Sequence, residues 1–333
     1  MIRSALVTGV LVAGLTLTAC GGHPKPAASR TPTPTPVVTT PAPPPPPPSP
    51  LTGLPPAGAT VVAVKVDNVS TGAQAGLNDA DVVYCELVEG GLTRLLAVFG
   101  THQPTSVGPV RSARFTDVEL LGEYGRIALA FSGANTAVLA AVKGANLQDD
   151  AYDYVPDLYH FDRTRPAPYQ FLVDVSKAVS TAPGDPAKDI GFRFGPAPAL
   201  PAATPPATPV AVTALSARFP AALVSATWDA ASGSWLMSRD GRPQMLADGS
   251  QASASNILVQ YVTNDGADIP TTKTVGSGQA VLFRNGARFD GTWSRSSSTS
   301  PTTWTAAGGG DLTLSTGRTW VILLPVGSAL SVS

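Results

Sequence analysis

The sequence has few of the residues on which metal sites and disulfide frameworks depend. Its 333 residues include two cysteines and three histidines, His23, His102 and His160. One pair of cysteines cannot build a disulfide framework, and the scattered histidines do not have the spacing of a zinc site. We therefore expect no cofactor and assign no metal ligand, although a site made of carboxylates alone stays open.

Charge is also scarce, and neither sign dominates. Charged residues make up 14% of the chain, and 22 Lys and Arg against 23 Asp and Glu give a formal net charge of −1. A nucleic-acid-binding protein usually carries a basic face, so this balance argues against nucleic acid as a partner. The sequence also has no Gly-x-Ser-x-Gly elbow, no phosphate loop and no His-Glu-x-x-His motif. We expect binding rather than catalysis, assign no catalytic residue and leave catalysis open.

The first residues predict export and a lipid anchor. Arg3 precedes an apolar stretch over residues 5–15, and a Leu-Thr-Ala-Cys motif then ends at Cys20. This order is typical of a signal peptide, and the apolar stretch is too short to cross a bilayer core of roughly 30 Å. Leu-Thr-Ala-Cys-Gly resembles the bacterial lipobox, which implies cleavage of a signal peptide at 1–19 and acylation of Cys20. An ordinary signal peptide beside an incidental cysteine is the alternative.

A proline-rich segment follows the cysteine. Residues 20–50 are dominated by Gly, Pro, Ala, Ser and Thr, and residues 43–48 are all proline. Such a segment has too little apolar surface to offset the entropy of ordering it, and proline favours extended polyproline II. At about 3.1 Å per residue, a segment of roughly thirty residues reaches on the order of 90 Å. We therefore expect a disordered tether that holds the folded part at the extracytoplasmic face of the cell membrane. The alternative, an SH3-type ligand, suits a segment outside the cytoplasm poorly.

The region after the tether predicts an α/β lobe over residues 51–195. Short apolar, β-branched runs predict strands at 61–67, 81–88, 93–99 and 127–131. Gly90-Gly91 predicts a hairpin turn, since such turns need positive φ. Helices are predicted at 117–125, where Thr116 and Glu119 have capping-box spacing, and at 135–143.

The rest of the chain predicts a mostly antiparallel β lobe over residues 211–328. A Pro/Ala-rich linker or loop, residues 196–210, precedes it. The predicted strands cover residues 223–228, 234–238, 256–263, 279–283, 287–293 and 318–324. Asn285-Gly286 predicts another hairpin turn. The fold class we expect is therefore α+β (mixed α/β), with a two-lobed body.

Large aromatic side chains recur on the distal strands. Trp228, Trp235, Trp293 and Trp320 all lie in or beside predicted strands. We interpret them as core residues, and an exposed aromatic face for glycan or protein binding is the alternative. Cys85 lies inside an apolar strand pattern, which predicts a buried thiol that packs as a small hydrophobic group.

The charged residues concentrate between residues 67 and 117. They are Asp67, Asp81, Glu86, Glu89, Arg94, Arg111, Arg114 and Asp117. Arg111 and Arg114 precede a predicted helix N-terminus, whose positive partial charge disfavours arginine unless something negative joins it. In one hypothesis Asp117, Glu119 or Glu89 pairs with the arginines. In the other, an anionic ligand with a phosphate or carboxylate group binds there. The candidate ligand-binding residues are Asp67, Asn68, Glu89, Arg94, Arg111, Ser112 and Arg114.

Two segments carry a family resemblance. Glu-Gly-Gly-Leu-Thr-Arg at 89–94 and Gly-Pro-Val-Arg-Ser-Ala-Arg at 108–114 resemble the YerB-like family of bacterial lipoproteins, a domain of unknown function. The resemblance covers roughly residues 51–326 and implies a fold and an envelope location, but no reaction. This chain has Cys85 where members often have glutamate. It has Tyr169 where members often have histidine in Pro-His-Asn-Leu, which argues against a histidine-dependent enzyme.

These observations predict a membrane-anchored extracytoplasmic lipoprotein. We expect it to bind an anionic small molecule, a cell-wall component or an envelope protein. One alternative is an envelope enzyme acting on phosphate-linked or glycan cell-wall material, with Asp67, Glu86 or Glu89 as acid or base. His160-Phe161-Asp162-Arg163 is the densest polar segment with a histidine, and we interpret it as a solvated loop. The other alternative is a structural or interaction module.

Overall fold

The computed structural model describes Gly22 and residues 46–55, 60–69, 72–181, 184–202, 209–266 and 269–333. The predicted signal peptide, Cys20 and most of the predicted tether lie outside the described residues, as do residues 203–208 of the predicted linker. The last tether residues already belong to the fold, because Ser49 is buried and its carbonyl accepts the Gly53 N–H at 2.8 Å. No described helix is both long and apolar enough to cross a membrane.

The described chain is rich in strands and poor in helices. The strands are β1 Val62–Asp67, β2 Val82–Leu87, β3 Thr93–Phe99, β4 Ile127–Phe131, β5 Leu147–Ala151, β6 Tyr159–Phe161, β7 Phe171–Val173, β8 Val210–Ala211, β9 Ala214–Arg218, β10 Leu223–Asp229, β11 Ser234–Arg239, β12 Arg242–Pro243, β13 Ser253–Ala254, β14 Asn256–Val262, β15 Asn264–Asp265, β16 Thr271–Thr272, β17 Gly276–Arg284, β18 Ala287–Arg295, β19 Thr303–Ala306, β20 Thr319–Pro325 and β21 Leu330–Val332. The α-helices are α1 Phe115–Leu121, α2 Thr136–Gly144 and α3 Val175–Thr181. Short 3₁₀ turns cover Leu77–Asp79, Glu89–Gly91, Gly122–Tyr124 and Pro156–Leu158.

The main sheet combines strands from both halves of the chain. Its order is β19-β18-β17-β14-β20-β2-β3-β1-β4-β5, and β8 pairs with β18. Strand β20 pairs in parallel with both β14 and β2, so a strand near the C-terminus joins the two predicted lobes. The mixed, strongly β-rich fold class agrees with the sequence, whereas the predicted two-lobed arrangement is not confirmed.

Six strands of the main sheet run in one direction. Strand β3 is antiparallel to β1 and β2, while β4 and β5 continue in parallel beside β1. Strands β14, β20, β2, β1, β4 and β5 therefore end at the same edge of the sheet. Charged residues near the ends of β1 and β2 are brought together at this edge.

Both faces of the main sheet are covered. One face packs against a second sheet of order β12-β11-β10-β9-β21, with β13 beside β11, and the other packs against α1 and α2. In β1, Val62 and Val64 face the second sheet, while Ala63 faces the helices. Burial on both faces explains why β1 is an almost continuous apolar run rather than an alternating one.

The tryptophans and Cys85 are core residues, as predicted. Trp235, Trp293, Trp304 and Trp320 are all buried, and Trp228 is partly buried against the core. Cys85 is a free cysteine in the core that faces the second sheet. Burial raises the pKa of the Cys85 thiol to about 12, which keeps it protonated and unreactive.

The two predicted hairpin turns are present, but α1 begins earlier than predicted. Gly90 and Gly91 have φ of 69° and 73° between β2 and β3. Helix α1 starts at Phe115 rather than Asp117, because the Asp117 carboxylate caps the first turn from inside, with Oδ2 accepting the Arg114 N–H at 2.7 Å. Glu119 does not complete a capping box. Its Oε1 accepts the Thr274 N–H at 2.6 Å and ties α1 to the segment before β17.

Glu123 and Arg295 form a buried charged contact behind α1. The Arg295 Nε lies 3.7 Å from Glu123 Oε2, which accepts bonds from the N–H and hydroxyl of Thr302 at 3.2 and 2.9 Å. Burial, opposed by Arg295 and Thr302, raises the pKa of Glu123 from 4.5 to about 7. Between these two values the folded state binds more protons than the unfolded state, so stability falls as the pH rises.

We expect the variant Glu123→Gln to lose this pH dependence. From pH 4.5 to pH 7 the free energy of unfolding of the wild type should fall by on the order of 3 kcal/mol more than that of the variant. Urea unfolding of both proteins at the two pH values measures the difference. Asp153→Asn, at an exposed carboxylate, is the control and should follow the wild type. Parallel wild-type and Glu123→Gln profiles would contradict the assignment.

Candidate functional site

Charged side chains meet on the helix-facing side of the main sheet, where β1 and β2 end. Lys65 and Asp67 lie on the same face of β1 as Ala63, because alternate residues of a strand share a face. By the same rule, Glu86 of β2 and Arg94 of β3 lie on this face. In the strand register, Arg94 is opposite Asp67 in β1 and opposite Glu86 in β2. The sheet therefore positions these four side chains beside one another.

The innermost group is a triad of Lys65, Glu86 and Asp117. The Lys65 ammonium donates to Glu86 Oε1 and to Asp117 Oδ1, the latter at 2.6 Å. Burial raises the pKa of Glu86 to about 7, although the neighbouring Lys65 charge acts in the opposite direction. The sequence reasoning missed Lys65. A lysine inside the otherwise apolar strand Val-Ala-Val-Lys-Val was the available signal, since a buried lysine requires a partner.

Arg114 is paired internally. Its Nη2 and Nε donate to Glu89 Oε2 at 2.7 and 3.0 Å, and its Nη1 donates to the carbonyls of Ala113 and Ser112 at 2.8 and 3.2 Å. Partial burial acts to raise the pKa of Glu89, but the hydrogen bond and charge of Arg114 outweigh it and lower that pKa. This pair fits the structural hypothesis for the arginines.

Arg111 bridges the charged group and an aromatic ring. Its Nε lies 3.4 Å from Asp67 Oδ1, and its guanidinium lies over the Tyr169 ring, 5.1 Å from the centroid. This is the geometry of a cation–π contact. The Arg111 side chain is 20% exposed, so solvent reaches one side of it.

Arg94 is the least satisfied of the three arginines. It is 6% exposed, its Nη1 donates to the Ser112 carbonyl at 3.2 Å, and its buried Nε has no hydrogen-bond partner among the described residues. No carboxylate in the described ranges lies within salt-bridge distance of it. Burial and the charges of Arg114 and Arg111 lower the pKa of Arg94 to about 10, against the opposing charges of Glu86 and Asp67. We call Arg94, Arg111 and Arg114 the arginine cluster.

Asn68 and Ser112 were predicted to bind the ligand, and the structure places neither side chain on the arginine cluster. Asn68 donates to Thr93 Oγ1 at 2.8 Å and accepts from Gln74 and Gln244 at 3.3 and 3.4 Å, in a buried amide network. Thr93 belongs to the face opposite Arg94, so Asn68 does not contact the arginine cluster. Ser112 participates through its backbone, because its carbonyl accepts from both Arg94 and Arg114.

Two clefts flank the segment after β1. The first has a volume of about 560 Å³ and is lined by Val69, Gly72, Ala73, Asp162, Thr164, Arg165, Pro166 and Tyr169. The second has a volume of about 400 Å³ and is lined by Val69, Gly72, Ala73, Gln74, Arg239, Asp240, Arg242, Pro243, Gln244 and Met245. Tyr169 connects the first cleft to Arg111. We call this first cleft the tyrosine cleft.

The segment His160–Arg163 lies at the surface, in agreement with its interpretation as a solvated loop. His160 is exposed, and its Nε2 lies 3.3 Å from Ser106 Oγ. Asp162 pairs with Arg165 at 2.7 Å on the wall of the tyrosine cleft. Within the described ranges, no group of three or more His, Cys, Asp or Glu side chains is arranged to hold a metal ion.

Comparisons with known proteins agree on one relationship. The models of the protein of unknown function (DUF3048) N-terminal and C-terminal domains match residues 51–187 and 215–321. The chain is 47% identical over 70 residues to the putative lipoprotein YerB of Bacillus subtilis (strain 168), an alignment that covers 20% of this chain and 21% of that relative. The crystal structure of the YerB protein from Bacillus subtilis matches with a TM-score of 0.70 at 21% identity, over 85% of this chain and 99% of the other. This structural likeness shows the fold.

Proposed function

Because the chain belongs to the DUF3048 family, whose N- and C-terminal domain models both match it, we propose a role that rests on its own charged residues. The protein is a lipid-anchored protein of the extracytoplasmic membrane face that binds an anionic ligand through its arginine cluster. The ligand is a small molecule or cell-wall component with a phosphate or carboxylate group. The similarity to a putative lipoprotein supports the anchor.

The state of Arg94 carries the proposal. A buried guanidinium that no carboxylate of the described residues contacts directly, beside two further arginines, is an electrostatically costly arrangement, which the nearby charges of Glu86 and Asp67 offset only in part. Its Nε leaves one hydrogen-bond donor unused, and an unmade buried hydrogen bond costs about 1–3 kcal/mol. Phosphate and carboxylate groups match the fork of donors that a guanidinium presents. Binding an anion beside the cluster would offset both costs.

Access to the cluster runs through Arg111. Its partly exposed guanidinium lies over Tyr169, which lines the tyrosine cleft. The cleft is large enough for a small ligand. On its wall the Thr164 hydroxyl and the Arg165 Nε donate to Asp162, which leaves the terminal nitrogens of Arg165 as the further donors. The cluster also lies where parallel strands end, the edge at which open α/β sheets commonly bind ligands.

The variant Arg111→Glu tests this function. With inorganic phosphate at about 100 times its Kd, binding adds roughly 2.7 kcal/mol to the free energy of unfolding, which corresponds to a rise in Tm of roughly 5–10 °C. We expect this rise in the wild type and not in Arg111→Glu, measured at constant ionic strength by thermal unfolding.

The control for this experiment is Arg193→Glu. Arg193 is a half-exposed arginine that pairs with Asp189 and does not line the tyrosine cleft. It should keep the wild-type response, because its charge change lies outside the tyrosine cleft. The general stabilising effect of phosphate as a salt acts on all three proteins alike, so the difference in Tm rise between the variants measures binding. An equal rise in Arg111→Glu, or no rise in the wild type, would refute the proposal.

The other two predicted functions have less support. Glu86 is 1% exposed, which withholds it from a substrate, and the half-exposed Glu89 carboxylate is bound by Arg114, which disfavours a role as acid or base. An interaction module that uses exposed tryptophans is also disfavoured, because four of the five tryptophans are buried.

A further inference from the structure

The triad of Lys65, Glu86 and Asp117 is a charged group that solvent does not reach. The three side chains are 0%, 1% and 0% exposed. Burying an ion costs several kcal/mol unless its partners satisfy it fully. Yet Glu86 Oε2 is buried and has no hydrogen-bond partner among the described residues. The triad therefore contains one buried oxygen, Glu86 Oε2, that no hydrogen bond of the described residues satisfies.

The charges of the triad do not balance when all three groups are ionised. Within the triad one ammonium faces two carboxyl groups, and the positive charge of Arg94, opposite Glu86 in the strand register, lies beside them without a hydrogen bond to Glu86 Oε2. Burial raises the pKa of Glu86 to about 7, so near neutral pH a large share of Glu86 is an uncharged carboxylic acid. Both oxygens of Asp117 accept hydrogen bonds, Oδ1 from the Lys65 ammonium and Oδ2 from the Arg114 N–H.

These groups have the arrangement that amide formation requires. The Lys65 amine contacts the Glu86 carboxyl, and Asp117 Oδ1 lies 2.6 Å from the same nitrogen. The contact with Asp117 Oδ1 places a carboxyl oxygen within hydrogen-bond distance of the amine whose proton must leave before it can attack. Fixed contact between an amine and a carboxyl also removes the entropic cost of bringing them together.

We propose that Lys65 and Glu86 condense into an intramolecular isopeptide bond, with Asp117 as the general base. Asp117 takes one proton from the Lys65 ammonium and later releases it. The neutral Nζ attacks Cδ of Glu86, so that an N–C bond forms and the C–O bond to the carboxyl hydroxyl breaks. The hydroxyl leaves with a second proton of the amine as water. An amine and a carboxylic acid become a secondary amide, and no oxidant, reductant or cofactor is consumed.

The bond would join strands that are not neighbours. Lys65 is in β1 and Glu86 is in β2, and β3 lies between them in the sheet. The amide would replace an ammonium and a carboxyl with one neutral group, so that Asp117 remains as the one acidic group of the triad, with its Oδ2 accepting the Arg114 N–H. It would also hold the central part of the main sheet together covalently.

A tryptic peptide map of the purified full chain tests the bond. Without it, trypsin cleaves after Lys65 and yields residues 31–65 and 66–94. With it, Lys65 resists cleavage, and residues 31–94 appear as one peptide that is lighter than its sequence by one water. Residues 115–126, which contain Asp117, are released separately. Cleavage after Lys143 in the same digest controls for trypsin activity.

The outcomes of the map are distinct. A single peptide of residues 31–94, with a mass one water below that of its sequence, supports the proposal. Free peptides 31–65 and 66–94 overturn it, because Lys65 is then an unmodified lysine. A branched product that contains residues 115–126 also overturns it, because the bond would then involve Asp117.

Two variants distinguish a covalent bond between Lys65 and Glu86 from an ion pair that only stabilises the fold. Lys65→Arg keeps the positive charge but cannot form the amide, and Asp117→Asn keeps the shape of the base but cannot take the proton. We expect the water loss to disappear in Asp117→Asn. In Lys65→Arg, trypsin should release residues 31–65 and 66–94 at their full masses. Retention of the water loss in Asp117→Asn would overturn the role of Asp117, and the wild-type map decides the bond even if a variant does not fold.

Discussion

Replacement of Trp320 by alanine is expected to lower the free energy of unfolding by about 3–5 kcal/mol. Trp320 lies in β20, between β14 and β2, where its register partners are Ile257 and Val83. It is 1% exposed and packs in the core between the two sheets. The truncation removes the transfer energy of the indole and leaves a cavity that the surrounding strands cannot close.

The loss should be a large share of the total stability. A folded domain is stable by only about 5–15 kcal/mol, so the Trp320→Ala protein should unfold at a much lower urea concentration. Trp228→Ala is the matched control, because Trp228 is only partly buried and its removal costs less. Equal losses in the two variants would show that β20 does not hold the centre of the sheet.

Local patterns in the sequence predicted the strands well but not their partners. The runs at 93–99 and 127–131 are β3 and β4 with the same bounds. An apolar run indicates that a segment is buried on both faces, and it carries no information about which strand lies beside it. The position of β20 between β14 and β2 therefore could not be read locally, and two lobes were predicted where one sheet is shared.

Strands with weak patterns were missed for a physical reason. Leu147–Ala151 forms β5 at the edge of the main sheet, with the sequence Leu-Gln-Asp-Asp-Ala. An edge strand is partly solvated, so it tolerates polar residues and shows no apolar run. Its pairing comes from the neighbouring β4, which the sequence around residue 147 does not reveal.

The charged cluster was predicted as a region, and its inner geometry was not. Asp67 and Asn68, which are adjacent in sequence, were both assigned to the candidate site. Successive residues near a strand end point to opposite sides, and Asn68 accordingly joins the amide network on the other face. Strand periodicity alone would have separated these two residues. The pairing of Arg114 with Glu89, 25 positions away, depends on tertiary structure.

Replacement of Cys20 by alanine is expected to move the protein from the membrane fraction to the soluble fraction. The resemblance of residues 17–21 to a lipobox implies acylation at the Cys20 thiol and at the amino group exposed by cleavage. One acyl chain binds a membrane only marginally, whereas two or more anchor a protein stably. Alanine has no thiol to acylate, so the variant should lose the whole anchor and not a part of its affinity. Fractionation with an alkaline wash measures the change.

The second cysteine supplies a matched control for the anchor. Cys85 lies in the core, and burial raises the pKa of its thiol to about 12, so it is neither accessible nor reactive enough to carry a lipid. Cys85→Ala should therefore stay in the membrane fraction, while Cys20→Ala should not. If Cys20→Ala remains membrane-bound after the wash, the lipid anchor at Cys20 is wrong. The predicted tether, residues 20–50, would then have no lipid anchor to extend from.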